Sequence, residues 1–179
     1  TAYRRQRQMC IRDRYYPRWE FLNAYSGCMV GNPAVSVLTD AYQKGIQNYP
    51  VDKSIQYAIN TVRTFGNNED GYDSGDLSKT LEYAYSDWCV GTLLRSQNRV
   101  QEADIYLKKS KAYRNVWCDS VKWFRARLSK EEWLPWKGKK VHWQGCIESN
   151  NYQQGWFVPQ DIEGMIQLMG KKYFEEELI

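Results

Sequence analysis

Catalysis by ordinary side chains needs a titratable group held among groups that recognise the substrate, and one stretch of this sequence concentrates both. Residues 142–162 (His142-Trp143-Gln144-Gly145-Cys146-Ile147-Glu148-Ser149-Asn150-Asn151-Tyr152-Gln153-Gln154-Gly155-Trp156-Phe157-Val158-Pro159-Gln160-Asp161-Ile162) hold the only histidine and the carboxylate Glu148, set among amides. Gly145 and Gly155 bracket the loop and allow turns that other residues resist. Between them Asn150, Asn151, Gln153 and Gln154 offer both donors and acceptors, as a hydroxyl-rich ligand requires. The loop reads as a sugar pocket with its chemistry at Glu148. A carboxylic acid there can protonate a departing oxygen if its pKa is raised, and walls of Trp143, Trp156 and Phe157 would raise it by removing water from the charged form. On the residues alone, a carboxylate that simply accepts backbone hydrogen bonds at a turn is the preferred reading.

Helices must position this loop, because apolar residues recur at helical spacing through most of the chain. Asn32-Pro33 supplies a cap and a first-turn proline for a helix carrying Ala34, Leu38, Ala41, Tyr42 and Ile46. Asp52 is expected to cap the next, with Ile55, Ala58, Ile59, Val62 and Phe65 on its apolar face and Gly66 as a left-handed stop. The acidic connection 67–76 lacks the ligand spacing of a calcium loop and reads as a solvated turn. A longer helix from Leu77 to about Arg95 buries Leu77, Leu81, Ala84, Tyr85 and Trp88. Its Glu82 and Asp87 lie about 140° apart around the axis, so they cannot act as one acid–base couple. Asn98 is expected to cap a helix carrying Val100, Ala103, Tyr106 and Leu107 inward. After the loop, Pro159 is expected to start a helix with Ile162, Met165, Ile166 and Met169 on its buried stripe and Gly170 as its stop.

Two departures from helix are expected. Residues 17–31 read as an ordered loop. Val121–Arg127 and Glu132–Trp136 read as two short strands around 128–131, a small β excursion spanning about 119–136. Trp123, Trp133, Trp136 and Trp143 are available to wall a pocket, with at least half of them assigned to packing.

Composition narrows the function classes. Eight Trp and fourteen Tyr against five Phe favour rings with a polar edge, suited to sugars and to ordinary packing alike. The net charge of +4 is split between the first eighteen residues and Lys137–Lys140, too dispersed for a nucleic-acid face; the lysine run reads as a solvated turn. Five cysteines without C-x-x-C spacing or a second histidine argue against zinc. No apolar run reaches membrane-span length, and no signal segment is present. Residues 1–16, TAYRRQRQMCIRDRYY, read as an artefactual leader, since MCIRDR looks like translated sequencing-adapter sequence.

A family resemblance sharpens this. The run GCIESNNYQQGWFVPQDI, with TLEYAYSDWCVG at 80–91 and GNPAVSVLTDAYQKGI at 31–46, resembles the glycoside hydrolase family 92 exo-α-mannosidases, over roughly residues 17–179. The resemblance implies an all-α fold, helical hairpins forming part of an (α/α)6 barrel, with residues 17–179 a partial catalytic domain. It implies inverting, calcium-dependent hydrolysis of terminal α-linked mannose, expected to be α-1,2-linked, from mannan or N-glycan chains, with Glu148 as general acid. The base and calcium ligands are implied in a D-x-G-Q-M-like region that this sequence lacks, so no metal ligand is assigned here and the chain alone is expected to be inactive. Candidate substrate contacts are Trp19, Glu20, Asp87, Trp88, His142, Asn150, Gln154, Trp156 and Asp161. For Asp87 a role holding a neighbouring loop is an equal alternative; Asp161 reads on the residues as a carboxylate favouring the helix dipole, and the resemblance implies that it also orients the acid. The parent is expected to be periplasmic or secreted. A competing reading from another class is a non-catalytic carbohydrate-binding helical module, and a third is a helical interaction scaffold.

Overall fold

Where the sequence carries amphipathic periodicity, the chain is helical. The computed structural model describes residues 14–21 and 24–179, and the chain divides into two compact units, Thr1–Gly66 with Glu82–Ser110 and Asn67–Leu81 with Lys111–Ile179.

In the first unit, β1 (Glu20–Phe21) and β2 (Ala24–Tyr25) pair as a short antiparallel hairpin where an ordered loop was expected. Helix α1 (Pro33–Gln43) opens on proline, but Asn32 makes no side-chain cap and instead donates through Nδ2 to the Phe65 carbonyl at 2.9 Å. Helix α2 (Val51–Thr64) buries Ile55, Ala58, Ile59 and Val62, each large aliphatic contributing roughly 1.5–3 kcal/mol. It begins one residue before Asp52, which therefore sits in the first turn rather than at the cap and favours the dipole from there. Gly66 is no left-handed stop: a Cβ there would fall 2.4 Å from the Val62 carbonyl oxygen, so close approach is what requires glycine.

Helix α3 (Leu77–Ser96) starts in the second unit and continues into the first. Its residues are buried on nearly every side, polar Ser78, Thr80, Ser86 and Asp87 included. Helix α4 (Val100–Lys109) returns from it, and Asn98, with φ +58°, makes the turn instead of capping; Arg99 holds the cap position. The hairpin closes at Gly91, where a Cβ would lie 2.7 Å from Leu107 Cγ. Residues 14–16, within the expected leader, are tied to α2: Tyr16 N–H donates to Thr61 Oγ1 at 2.8 Å, and Asn60 Nδ2 donates to the Arg14 carbonyl at 2.7 Å. Residues 1–13 lie outside the described residues.

In the second unit, Asp76 Oδ1 accepts from the Lys79 N–H at 2.8 Å and caps α3. Lys79 also pairs with Asp73 at 3.8 Å and Asp76 at 3.3 Å, balancing part of the acidic turn. A 3-10 turn, Ala112–Val116, leads to β3 (Trp117–Cys118), which pairs antiparallel with β4 (Trp123–Phe124). The strand excursion lies where it was expected and has a further partner in β3. Segment 132–134 meets 126–128 through the bridge Arg127↔Trp133, with the Leu134 N–H donating to the Ala126 carbonyl at 3.0 Å and the Leu128 N–H to the Glu132 carbonyl at 2.9 Å. All four residues of β3 and β4 are buried, so pairing them removes the most apolar surface from water. Helices α5 (Asn151–Gly155), α6 (Ile162–Met169) and α7 (Lys171–Leu178) complete the unit. Helix α6 begins three residues after Pro159, with Asp161 as its cap, and Gly170 ends it at φ +82°. The core gathers Leu77, Leu81, Tyr113, Trp123, Phe124, Val158 and Met165. Lys139, expected in a solvated turn, lies 5.0 Å over the Trp123 ring and pairs with Glu177 of α7.

Candidate active site

The loop carrying Glu148 is anchored on the first turn of α3. The Gly145 carbonyl accepts from the N–H groups of Leu77 at 2.6 Å and Ser78 at 3.3 Å, satisfying donors that a helix start leaves orphaned. Ser78 is fully buried; its Oγ accepts from the Ile147 N–H at 2.9 Å and donates to Gln154 Oε1 at 2.9 Å. Ser149 Oγ donates to the same Gln154 oxygen at 3.3 Å. Asn150 caps α5: its Oδ1 accepts from the Gln153 N–H at 2.9 Å, while Gln153 Oε1 accepts from the Asn150 N–H at 3.3 Å, a reciprocal capping box. A backbone bridge pairs His142 with Asn150. Ahead of it, buried Gln144 accepts from the Lys137 N–H at 2.5 Å and donates to the carbonyls of Gly138 and Val141 at 2.8 and 2.9 Å.

Both bracketing glycines are required, for different reasons. Gly145 has φ +76°, and a Cβ there would fall 2.4 Å from Ala126 Cβ and 2.7 Å from the Gly75 carbonyl oxygen. Gly155 lies inside α5, and its need is proximity: a Cβ would sit 2.8 Å from Trp123 Nε1.

Glu148 itself is exposed, at φ +54°. A non-glycine residue held left-handed costs on the order of 1–3 kcal/mol and persists only where its surroundings over-determine it. Here the residues on either side are tied to Ser78, fully buried, and half-buried Gln154. The rings expected to wall Glu148 act elsewhere. Trp143 is 74% exposed. Trp156 packs edge-on against Trp123 at 5.3 Å and Phe174 at 5.5 Å, and Phe157 packs on the core. Trp123 is fully buried and donates to the Asn151 carbonyl at 2.7 Å; Trp133 and Trp136 face the guanidiniums of Arg127 and Arg125.

The other expected contacts in this unit divide by what already engages them. His142 is exposed, Asn150 is spent on the α5 cap, and the Gln154 carbonyl is spent on two serines. Asp161 caps α6 through the Gly164 N–H at 3.3 Å and accepts from Tyr113 Oη at 2.5 Å and Lys111 Nζ at 2.8 Å. Burial pushes its carboxyl up, but the bonds from Lys111 and Tyr113 outweigh that and hold it below the ordinary range. The Asn150-x-x-Gln153 spacing could have announced the capping box. Nothing in the sequence marks Ser78.

The first unit holds the remaining candidates. Trp19 is half exposed, and Glu20 lies in β1. Trp88 stacks on Tyr85 at 5.9 Å. Asp87 is buried, which pushes its carboxyl up to about 7 against the pull of Lys109. Burial likewise lifts Glu82 to about 7; it lies against Gly31, where a Cβ would meet Glu82 Oε2 at 2.6 Å.

Among the described residues, no three His, Cys, Asp or Glu side chains are grouped to hold a metal ion, so calcium has no fitting ligand set among them and no step below runs through it. Cys28, Cys89, Cys118 and Cys146 are free thiols. No helix among the described residues is long and apolar enough to cross a membrane. An open depression of about 480 Å³ beside Asp70, Tyr72 and Lys130 contains none of the expected site residues.

Comparison with known proteins sets this geometry in a family. The sequence pattern of the glycosyl hydrolase family 92 catalytic domain matches residues 4–179, taking in most of the expected leader. Solved structures agree: the family GH92 α-mannosidase BT3965 of Bacteroides thetaiotaomicron superposes with a TM-score of 0.83 at 27% identity, over 93% of this chain and 24% of that one. The same enzyme in complex with mannoimidazole gives 0.80. The family GH92 inverting mannosidase BT2199 of that organism gives 0.80 at 26% identity, over 91% of this chain and 24% of that one. No curated protein sequence matches significantly. The chain belongs to glycosyl hydrolase family 92. Its helical hairpins are those of the family's α/α-barrel enzymes, and it spans about a quarter of the length of the structures it matches.

Proposed function

We propose that these residues form the part of an exo-α-mannosidase catalytic domain that supplies the general acid, Glu148, for releasing terminal α-1,2-linked mannose from mannan or N-glycan chains with inversion. The observation that supports it best is the strained, exposed Glu148, fixed by its neighbours' bonds to Ser78 and Gln154, in a chain that matches the family from residue 4 to residue 179.

Glycoside cleavage passes through an oxocarbenium-like state, in which the leaving oxygen must gain a proton while water attacks the opposite face. Glu148 gives that proton. An inverting partner base lies ~6.5–9.5 Å from the acid; we assign it, with the calcium ligands and the burial that an acid of raised pKa needs, to the rest of the domain. A mannan or N-glycan substrate places the enzyme in the periplasm or outside the cell.

The test is Glu148→Gln in the complete catalytic domain carrying this sequence, assayed on α-1,2-mannobiose and on an aryl α-mannoside with an activated leaving group. The amide keeps the shape and loses the proton, and general-acid assistance is worth about 10²–10⁴-fold, so mannobiose turnover should fall by that factor and aryl turnover far less. Equal losses on both would remove Glu148 from the acid role. Mannose binding that survives without hydrolysis in the unaltered domain would favour a binding module.

A further inference from the structure

Resting on the acid reading of Glu148, we infer that Ser78, buried on the first turn of α3, is a positioning residue for the acid, acting with Gln154 as a relay that sets the carboxylate's direction.

Glu148 occupies φ +54°, a region that a residue with a Cβ enters only when its flanks hold it there. Both flanks converge on one relay. On the N-terminal side, the Ile147 N–H donates to Ser78 Oγ at 2.9 Å. The Ser78 hydroxyl hydrogen then goes to Gln154 Oε1 at 2.9 Å, and the C-terminal flank reaches the same oxygen through Ser149 Oγ at 3.3 Å. Ser78 therefore serves as acceptor and donor at once, which a hydroxyl can do and a methyl cannot. Its backbone N–H adds a bond to Gly145 at 3.3 Å, so the relay stands on a helix start instead of on another loop. Ser78 is fully buried, and removing its hydroxyl would leave the Ile147 N–H and the Gln154 oxygen short of a partner in a water-poor place, at a cost that the loop relieves by moving.

A loop that moves carries Glu148 with it. Proton transfer demands hydrogen-bond reach to the leaving oxygen, and misplacement by about 1 Å can cost roughly a hundredfold. Substrate binding elsewhere in the site would not register that movement. The signature of a positioning role is thus a loss confined to turnover of substrates that need a proton.

The experiment compares Ser78→Ala, Ser78→Thr and Gln154→Leu with Glu148→Gln in the complete catalytic domain, measuring kcat and KM on α-1,2-mannobiose and on an activated aryl α-mannoside. Ser78→Ala should lower kcat on mannobiose about tenfold to a hundredfold, change KM little, and lower aryl turnover by less than about threefold. Gln154→Leu should show the same split in weaker form and serves if Ser78→Ala does not fold; Ser78→Thr, which keeps the hydroxyl, should restore most of the mannobiose rate. Parallel losses on both substrates in both variants, or no loss, would overturn the positioning role. A split for Glu148→Gln without one for Ser78→Ala would sink this inference and leave the acid intact. No split even for Glu148→Gln would remove the acid reading and this one with it.

Discussion

The loop at Glu148 and the middle of α3 both carry carboxylates in family-like motifs, yet their surroundings do opposite things. At Glu148 the backbone is constrained and the side chain is exposed. At Glu82 and Asp87 the backbone is ordinary helix, and burial lifts both carboxyls to about 7. One region fixes where a carboxylate is; the other fixes how tightly it holds a proton. An acid catalyst needs both.

The largest expected effects break the loop side of the comparison. Trp123→Ala should cost about 3–5 kcal/mol, because the ring is fully buried and its Nε1 holds the Asn151 carbonyl. Gly145→Ala should cost about 2–5 kcal/mol, combining left-handed strain with overpacking against Ala126. Chemical denaturation of the chain checks both. Gly45→Ala is the control: its φ is +78° with nothing within 4 Å of the added Cβ, so only strain of about 1–2 kcal/mol should appear.

The next effect sharpens the protonation side, and its sign differs between regions. For Asp87 the folded pKa of about 7 lies above the ordinary 3.8, so the folded state holds a proton that the unfolded state releases between those values. Stability from this group is full below about 4 and is lost as pH rises toward 7, by on the order of 2–4 kcal/mol. Asp161 runs the other way: its pKa is lowered, so its contribution is present above about 4 and is lost in acid. Hydrogen exchange followed against pH should show α3 protection falling between about pH 4 and 7, and α6 protection falling as pH drops below about 4. Asp87→Asn should weaken the first trend, Glu82→Gln added to it should remove the rest, and both should leave the second. If α3 protection rises with pH, burial of Asp87 is misjudged.

What was legible in the sequence follows from range. Helices α1 to α4 were readable as helices from apolar residues recurring within a few positions, but only in α2 did the expected stripe, Ile55, Ala58, Ile59 and Val62, prove to be the buried one; α1 buries Val35 and Thr39 instead, and Val100 of α4 is exposed. Strand pairing was readable only in part: the turn at 128–131 brings 132–134 back onto 126–128, but alternation in 121–127 says nothing of a second partner, and Trp117–Cys118 takes that side. Around Glu148 the residue types were visible but not their employment. An amide that could face a sugar is indistinguishable in sequence from one that caps a helix, as Asn150 does, or that braces a serine, as Gln154 does. Ser78 is sixty-nine residues from Ile147 in the chain, and only folding brings them together.

The smallest effect isolates the tryptophans. Trp143→Ala should change stability by less than about 0.5 kcal/mol, since the ring is 74% exposed, whereas Trp123→Ala is severe. A cost above about 2 kcal/mol at Trp143 would mean that it packs in a way this structure does not contain.

The central claim, that Glu148 donates the proton to the leaving oxygen, is tested most directly by a series of aryl α-mannosides of graded leaving-group pKa. Rates are plotted for the complete domain and for Glu148→Gln. The account predicts a shallow dependence in the unaltered enzyme and a steep one in the variant, with the two lines converging at the most acidic leaving groups, where protonation matters least. Parallel lines, with the variant slower by the same factor throughout, would contradict it.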